Sequence, residues 1–330
     1  MAVLTYREAL RAAMTEEMER DDRVFLMGEE VAEYNGAYKV SQGMFDQFGG
    51  RRIVDSPISE NGFAGIGIGA AMVGLRPIVE FMTYSFSYVA FDQLVNNAAN
   101  MRYMSGGQFS VPIVFRGNSG IAGALGATHS HRPEAFFAHV PGLTVMLPST
   151  PADAKGMLKA AIRSDDPIIF IEHENLLGDK GEVPDDRDFL VPIGKADVKR
   201  HGNDVTILTY SRSVTTSLKA AEALAEQGIS AEVVDLRTLR PLDMATILAS
   251  VVKTHRAIIV EEDWPYCGIG AGVADRIYNA AFDELDAPIR RVTSKDTPVP
   301  YNKTLEASVL PSVERVIAAV NDVLYRSGPR

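Results

Sequence analysis

The chain has 330 residues, 46% hydrophobic and 23% charged, which is typical of a soluble globular protein of about two domains. Lysine and arginine total 33 against 43 aspartate and glutamate, so the net charge of -10 argues against nucleic acid or an anionic membrane surface as partner. A single cysteine, Cys267, excludes an intramolecular disulfide. Because no targeting segment or membrane-spanning run is recognisable, we expect a cytoplasmic protein.

The first half of the chain alternates short apolar runs with amphipathic stretches. The predicted strands are residues 24–27, 78–81, 111–115, 143–147 and 168–171. The predicted helices are residues 3–20, 61–73, 87–104 and 151–162. Ser149 or Thr150 can cap the last of these helices, and Pro151 suits its first turn. Such an alternation predicts a parallel sheet that is covered by helices on both faces.

A second α/β region follows an irregular stretch, residues 178–197, that is rich in Gly, Pro and Asp. Its predicted strands are residues 204–210, 231–236, 257–260 and 289–292. Its predicted helices are residues 214–227, 242–252, 268–282 and 311–324. The sequence therefore predicts an α/β fold with two parallel-sheet domains, residues 1–185 and 201–330, joined by a linker at 186–200.

The glycines of the run GIGIGAA at residues 65–71 suggest dinucleotide binding, but their context does not fit. The dinucleotide fingerprint needs a tight turn between a strand and a helix, whereas these glycines lie within a predicted helix. The pattern instead indicates a helix lined with Gly and Ala that another helix approaches closely. The chain also lacks the G-x-x-x-x-G-K-[ST] motif, which excludes a P-loop nucleotidase.

Glu60 precedes the same helix, at a junction between a strand and a helix. Open α/β sheets bind ligands at the carboxyl ends of their strands, but an acidic residue at a helix start is also a common N-cap. The aromatic segment Thr83-Tyr84-Ser85-Phe86-Ser87-Tyr88 follows the next strand. An acidic side chain beside aromatic rings suits a flat heterocycle that must be held and protonated.

The loop after the strand at residues 111–115 contains His129-Ser130-His131. Histidines in such a loop can act as an acid or a base at neutral pH, can bind zinc, or can simply be solvated. We favour acid–base chemistry over zinc because no further Cys or pair of acids lies nearby in the sequence. The acidic run Glu261-Glu262-Asp263 before Trp264 indicates a solvated turn or an interface edge, and Cys267 beside it is interpreted as structural.

Taken together, these residues resemble the family of β subunits of the decarboxylating component of the pyruvate dehydrogenase complex, which depends on thiamine diphosphate. The resemblance covers essentially the whole chain. The segments that carry it are GEEVA at 28–32, GAYKV at 36–40, PISE at 57–60, GFAG at 62–65, EFMT at 80–83, YMSGG at 103–107, PIVFRG at 112–117, His129-Ser130 and PGL at 141–143. It implies a transketolase-like pyrimidine-binding domain followed by a transketolase C-terminal domain.

The resemblance also implies roles for individual residues. Glu60 is the carboxylate that bonds N1′ of the cofactor pyrimidine, Phe86 packs on that ring, and His129 is the catalytic histidine. Glu29 and Asp92 match acids on a polar path between paired active sites, and Glu29 also lies near the cofactor. The family has Gln where this chain has His131. A potassium ion is implied at positions Ile113, Ala161, Ile162, Ser164 and Asp166, since oxygen ligands suit a hard cation.

The phosphate half of a thiamine-diphosphate site is missing from this chain. Such enzymes bind Mg²⁺ and the diphosphate through Gly-Asp-Gly followed by Asn-Asn, and no Gly-Asp-Gly occurs here. The resemblance therefore implies an α subunit that binds Mg²⁺, a tetramer of two α and two β chains, and no activity of this chain alone. The implied reaction is oxidative decarboxylation of pyruvate, with acetyl transfer to lipoyl groups of the dihydrolipoyl acetyltransferase component.

Three alternatives remain at the level of sequence. The first is the β subunit of a branched-chain 2-oxo acid or acetoin dehydrogenase. The second is a non-catalytic assembly subunit in which Glu60 only caps a helix. The third is an independent zinc enzyme that uses His129 and His131.

Overall fold

The computed structural model describes residues 1–326 and divides the chain into two compact units. The first unit is Met1–Ser119 with Phe136–Ile193, and the second is Gly120–Ala135 with the residues from Gly194 onward. The main division therefore lies inside the predicted linker 186–200. Residues 120–135, however, cluster with the second unit, although the sequence placed them in the domain 1–185.

Within the described residues, the first unit contains eight strands, most of which form one parallel sheet. Its strands are β1 (Ala2–Thr5), β2 (Val24–Gly28), β3 (Ile53–Asp55), β4 (Arg76–Glu80), β5 (Val114–Ser119), β6 (Thr144–Met146), β7 (Ile168–His173) and β8 (Lys180–Val183). Six of them run parallel in the order β6-β7-β5-β4-β2-β3, while β1 pairs antiparallel with β8. All residues of β5 and β7 are buried, as expected for strands covered on both faces.

The helical segments of the first half of the chain differ from the prediction in several places. The α-helices are α1 (Tyr6–Arg20), α2 (Met44–Phe48), α3 (Glu60–Met72), α4 (Ala99–Met104), α5 (Glu134–His139) and α6 (Pro151–Arg163). Short 3-10 segments span Tyr84–Tyr88, Ala127–His129 and Glu174–Leu176, and a π-helical segment spans Gln93–Ala98. The stretch predicted as one helix at 87–104 instead contains the end of a 3-10 segment and then a π-helical segment that continues directly into α4. Helix α5 spans the point where the chain returns to the first unit.

Helix α1 begins at Tyr6 rather than at residue 3, for a local reason. Thr5 accepts a hydrogen bond from the backbone N–H of Glu8, and the Glu8 carboxylate accepts one from the backbone N–H of Thr5 at 2.8 Å. This capping box fixes the N-terminus of the helix at Tyr6, and residues 2–5 pair with β8 instead. The stretch 178–197 was predicted to be irregular, and the presence of β8 within it corrects that prediction.

The core of the first unit lies largely between α1, α6 and the sheet. It contains apolar side chains of both helices, including Leu10, Met14 and Leu158, together with Leu26 and Phe170 from the strands. Helix α6 begins as predicted, because Thr150 accepts a hydrogen bond from the Asp153 N–H and Pro151 occupies the first turn.

The second unit contains a smaller mixed sheet. The strands of this region are β9 (Asp197–Arg200), β10 (Val205–Thr209), β11 (Ala231–Asp235), β12 (Thr238–Arg240), β13 (Ala257–Val260) and β14 (Arg290–Val292). Five of them form a sheet in the order β14-β13-β10-β11-β9, and only β9 runs antiparallel to its neighbour. The helices are α7 (Ser213–Glu226), α8 (Met244–Thr254), α9 (Ile269–Ala281), α10 (Lys303–Val309) and α11 (Val313–Val323). The predicted α/β class is confirmed, apart from the antiparallel edge strand.

Among residues 1–326, no helix combines the length and the apolar character that a membrane span needs.

Candidate active site

Two buried carboxyls lie where strands of the first unit end. Glu29 directly follows β2 and is 7% exposed, and Glu60 is the first residue of α3 and is 6% exposed. Burial, and next the charge of Glu60, raises the pKa of Glu29 to about 7. Glu29 Oε1 accepts no hydrogen bond from any residue that the structure describes. This edge of the sheet therefore holds a carboxyl that exchanges its proton near neutral pH.

Glu60 is not the N-cap of its helix, because Ser59 occupies that position. A carboxylate in the first turn is favoured by the positive end of the helix dipole. The loop after Glu29 is held by Asp55, whose carboxylate accepts hydrogen bonds from the N–H groups of Ala32 at 2.7 Å and Glu33 at 3.2 Å. The position of Glu29 is thus set by the end of β2, and that of Glu60 by the start of α3.

Helix α3 is lined with glycine as predicted, but a strand as well as a helix approaches it. A Cβ atom at Gly67 would lie 2.6 Å from Val79 Cγ2, so β4 packs directly on the helix backbone. At Gly65 the nearest group is the side chain of Gln93, from the π-helical segment, at 3.4 Å. Gly65 and Gly67 therefore serve close packing, which agrees with rejecting a dinucleotide site.

The aromatic segment after β4 divides into core and site residues. Tyr84 is fully buried, donates a hydrogen bond to the Phe115 carbonyl at 3.1 Å and packs edge-on against Phe81 and Phe137. Phe86 is only half-buried, in the same 3-10 segment. Of these two rings, Phe86 is the one that is partly exposed.

A buried ion triad that the sequence analysis missed lies in the three neighbouring strands β4, β5 and β7. Arg116 is fully buried between Glu80, which it contacts through Nη1, and Glu172, which it binds through two hydrogen bonds of 2.6 Å. A bidentate guanidinium–carboxylate pair of this kind fixes relative strand positions. Its signal in the sequence was the presence of charged residues inside otherwise apolar strands.

Asp92 immediately precedes the π-helical segment. Its Oδ1 accepts a hydrogen bond of 2.6 Å from the Asn96 amide, and its side chain is exposed. Single π-helical turns occur often at functional sites. The role of Asp92 in a proton path stays a prediction.

The histidines of the loop belong to the second unit. His129 is exposed and its Nδ1 lies 2.9 Å from Thr128 Oγ1. His131 is half-buried, and its ring lies edge-on to Trp264 with 6.4 Å between ring centroids. Burial, and next the charge of His129, lowers the pKa of His131. Across residues 1–326, no group of three or more His, Cys, Asp or Glu side chains is arranged to hold a metal ion.

Four of the five positions implied for potassium lie at or just after the end of α6, and the fifth, Ile113, directly precedes β5. Ser164 is the C-cap of that helix and its N–H binds the Ala161 carbonyl at 3.1 Å, while the Ile113 carbonyl accepts the N–H of Ile168 at 2.9 Å. The Ser164 hydroxyl donates to the Asp166 carbonyl at 3.3 Å. Each carbonyl has a second lone pair, so these oxygens could also face a cation.

The acidic run Glu261-Glu262-Asp263 is not the solvated turn predicted. All three side chains are buried, at 0%, 6% and 4% exposure. They directly follow β13, and a run of three consecutive acidic residues gives no indication in the sequence of this burial. Cys267, in contrast, is exposed.

Comparison with known proteins follows the division of the chain. The family model for the transketolase pyrimidine-binding domain matches residues 2–180, and that for the transketolase C-terminal domain matches residues 194–316. Two solved structures share the fold: a split-gene transketolase, described as an inactive β4 tetramer, at TM-score 0.79 and 22% identity over 98% of both chains, and a Campylobacter jejuni transketolase at TM-score 0.72 and 16% identity. The latter match covers 98% of this chain and 47% of the transketolase.

Sequence relatives are much more similar. The pyruvate dehydrogenase E1 component subunit β of Rhizobium meliloti is 54% identical over 99% of this chain and 71% of its own length. The mitochondrial counterpart in Caenorhabditis elegans is 53% identical over 98% of this chain and 93% of its own. The corresponding subunit of Rickettsia felis is 53% identical over 98% of this chain and 99% of its own length. The predicted resemblance is confirmed: this chain belongs to the family of β subunits of the pyruvate dehydrogenase E1 component, with a transketolase pyrimidine-binding and a transketolase C-terminal domain.

Proposed function

We propose that this chain is the β half of a pyruvate dehydrogenase that uses thiamine diphosphate, decarboxylates pyruvate oxidatively and transfers the acetyl group to lipoyl groups of a dihydrolipoyl acetyltransferase. The observation that carries the proposal is the buried Glu60 at the start of α3, inside the domain matched as pyrimidine-binding. Relatives at 53–54% identity over nearly the whole chain support pyruvate rather than a branched-chain 2-oxo acid or acetoin.

The residues present fit a pyrimidine ring. Glu29 Oε1 accepts no hydrogen bond from a described residue, and Phe86 offers a half-buried aromatic face. When bound, thiamine diphosphate supplies a thiazolium carbanion. Glu60 would hold a hydrogen bond at N1′ of the pyrimidine, Phe86 would pack on the ring, and Glu29 would exchange a proton close by, since its pKa is about 7.

His129 would serve the acyl-transfer half of the reaction. An imidazole can donate or accept a proton near neutral pH, and His129 is exposed to an incoming lipoyl group. Burial lowers the pKa of His131 beside it, so this second imidazole would stay neutral at neutral pH. Asp92 and Glu29 would belong to a proton path between paired active sites.

An α subunit would complete the site. The sequence contains no Gly-Asp-Gly, so Mg²⁺ and the diphosphate would be bound by another chain, in a tetramer of two α and two β subunits. This predicts that the chain alone has no turnover and that it co-purifies with a chain containing Gly-Asp-Gly and Asn-Asn.

A potassium ion would stabilise the first unit near the end of α6, through oxygens of Ile113, Ala161, Ile162, Ser164 and Asp166. The test is the melting temperature of the full chain in KCl and in NaCl at equal ionic strength. A higher melting temperature in KCl supports the site, whereas equal values contradict it.

Glu60→Gln in the reconstituted tetramer tests the central proposal. Gln keeps the side-chain shape but cannot accept a proton, so we expect turnover of pyruvate to fall by about two orders of magnitude or more. Glu30→Gln, a change at an exposed position in the loop after β2, is the matched control and should retain activity. Retained turnover in a folded Glu60→Gln enzyme would favour a non-catalytic assembly subunit.

Substrate choice is tested on the same tetramer. We expect a higher kcat/KM for pyruvate than for 3-methyl-2-oxobutanoate or acetoin. A preference for either of the latter compounds would refute the assignment to pyruvate. The zinc alternative is tested separately: a stoichiometric amount of zinc found in the purified chain by metal analysis would favour it.

A further inference from the structure

The second unit encloses more negative than positive charge in its interior. We define the carboxyl cluster as Glu134, Glu261, Glu262 and Asp263, with the guanidinium groups of Arg132 and Arg291 as its cations. The four carboxyls and Arg132 are each at most 7% exposed, and the Arg291 side chain is 21% exposed. Within the cluster so defined, four carboxyls lie with two guanidinium groups, and the fully buried Tyr210 is a further titratable group beside Glu134, Glu261 and Asp263.

Glu134 and Glu261 each bind a guanidinium group through short hydrogen bonds. Arg132 binds Glu134 Oε1 through Nη2 at 2.7 Å and through Nε at 3.0 Å. Glu261 accepts hydrogen bonds of 2.8 Å from Arg291 and from the Gly270 N–H. The Tyr210 hydroxyl lies 3.3 Å from an oxygen of Glu134 and 3.3 Å from one of Glu261, so it joins the two.

Asp263 is the carboxyl without a cation of its own. Its Oδ1 accepts the Trp264 N–H at 2.8 Å, and its Oδ2 accepts no hydrogen bond from any described residue. Glu134 Oε2 likewise accepts none, and Arg132 Nη1 lies 3.7 Å from Glu262. An ionised carboxylate that is buried without a cation is strongly unfavourable, whereas a proton on it removes the charge.

The cluster is also the anchor of the histidine loop. Arg132 and Glu134 lie directly after His131, in the segment Gly120–Ala135 that clusters with the second unit. At its other end the segment is held by the Ala124 N–H, which binds the Glu306 carboxylate at 2.8 Å. Any charge change beside Glu134 therefore acts on the backbone that carries His129.

We propose that Asp263 carries a proton at neutral pH and is a positioning residue, which keeps the Arg132–Glu134 anchor, and with it the loop of His129 and His131, in place. Burial, and next the charges of Glu134 and Glu261, raises the pKa of Asp263 to about 8. Above that pH, Asp263 becomes charged and repels Glu134. The consequence for catalysis rests on the proposed function, but the protonation itself does not.

Trp264 provides a direct test, because it is the only tryptophan in the chain and its backbone N–H donates to Asp263. Tryptophan fluorescence of the full chain is titrated from pH 5 to pH 9, with excitation that avoids tyrosine. We expect a transition near pH 8 in the wild type that is absent in Asp263→Asn. Asp296→Asn, an exposed aspartate close in sequence to the Thr297 carbonyl that Trp264 binds, is the matched control and should keep it.

Two further variants separate the possible origins of the signal. His131→Gln removes a transition caused by the imidazole beside Trp264 and should leave the one near pH 8. Glu134→Gln removes a neighbouring charge and should move that transition to lower pH, which provides a test even if Asp263→Asn fails to fold. A transition that persists in Asp263→Asn, or an unchanged midpoint in Glu134→Gln, overturns the inference.

The positioning role is tested in the reconstituted tetramer by the pH profile of kcat/KM for pyruvate with a lipoyl acceptor. The wild type should lose activity above pH 8, and Asp263→Asn should keep its activity to higher pH with an unchanged KM. A merely structural role predicts lower kcat at every pH, and an unchanged alkaline limb overturns the positioning role. If the wild type does not turn over pyruvate, the proposed function fails, while the fluorescence result still decides the protonation.

Discussion

Replacing Glu29 by Gln should make the stability of the chain less sensitive to pH. Glu29 is 7% exposed, and burial together with the nearby charge of Glu60 raises its pKa from 4.5 to about 7. The shift of about 2.5 units corresponds to at most ~3.4 kcal/mol at ~1.36 kcal/mol per unit, and screening by solvent at this edge of the sheet lowers the expected effect to ~2 kcal/mol.

The sign of the effect follows from proton binding. Between pH 4.5 and 7 the folded chain binds this proton more tightly than the unfolded chain does, so the free energy of unfolding decreases as the pH rises. Gln is uncharged at every pH. The Glu29→Gln chain should therefore match the wild type near pH 4.5 and exceed it by ~2 kcal/mol at pH 8.

Equilibrium urea unfolding followed by circular dichroism at pH 5 and pH 8 measures this difference. Glu30→Gln is the matched control, since Glu30 is adjacent but exposed, and its stability difference should not depend on pH. The reasoning is refuted if Glu29→Gln is equally or less stable than the wild type at pH 8, or if the two variants show the same pH dependence.

Two further substitutions test the packing of the first unit by urea unfolding. Gly67→Ala should destabilise the chain by ~1–3 kcal/mol, because its Cβ would lie 2.6 Å from Val79. Gly69→Ala meets open space and should stabilise α3 by ~0.5–1 kcal/mol. Equal effects of the two substitutions on the free energy of unfolding would contradict the close approach of β4. Arg116→Met should lower the free energy of unfolding by ~3–5 kcal/mol, since it leaves two buried glutamates without a cation. Arg102→Met, at an exposed ion pair, should change that free energy little. A small effect at both positions would show that the triad is unimportant for stability.

Local signals predicted most of the longer helices and strands and missed several short ones, such as α2, β3 and β12. Thr150 and Pro151 marked the start of α6, and short Val- and Ile-rich runs marked the parallel strands, because capping and strand preference depend on a few adjacent residues. The start of α1 was wrong by three residues because the pairing of residues 2–5 with Lys180–Val183 competes with the helix and cannot be inferred from neighbours in sequence.

The site was predicted in unequal parts. Glu60 and the aromatic segment were candidates from their positions in the sequence, whereas Glu29 and the specific role of Phe86 came from the resemblance. The structure places both glutamates where neighbouring elements begin or end, and Phe86 in the segment after β4. Arg116 with its two glutamates was missed, since only strand order shows that these charges meet in the interior. The acidic run at residues 261–263 was wrongly interpreted as solvated for the same reason.

The sequence by itself determined the α/β class and the family, because both depend on local patterns, and the missing Gly-Asp-Gly motif is the basis for proposing a second chain that binds the diphosphate. Only the tertiary structure decided which unit carries the His129 loop and which carboxyls are buried. Burial and charge pairing arise between segments that are far apart in the chain, such as Glu134 and Tyr210, so no stretch of adjacent residues records them.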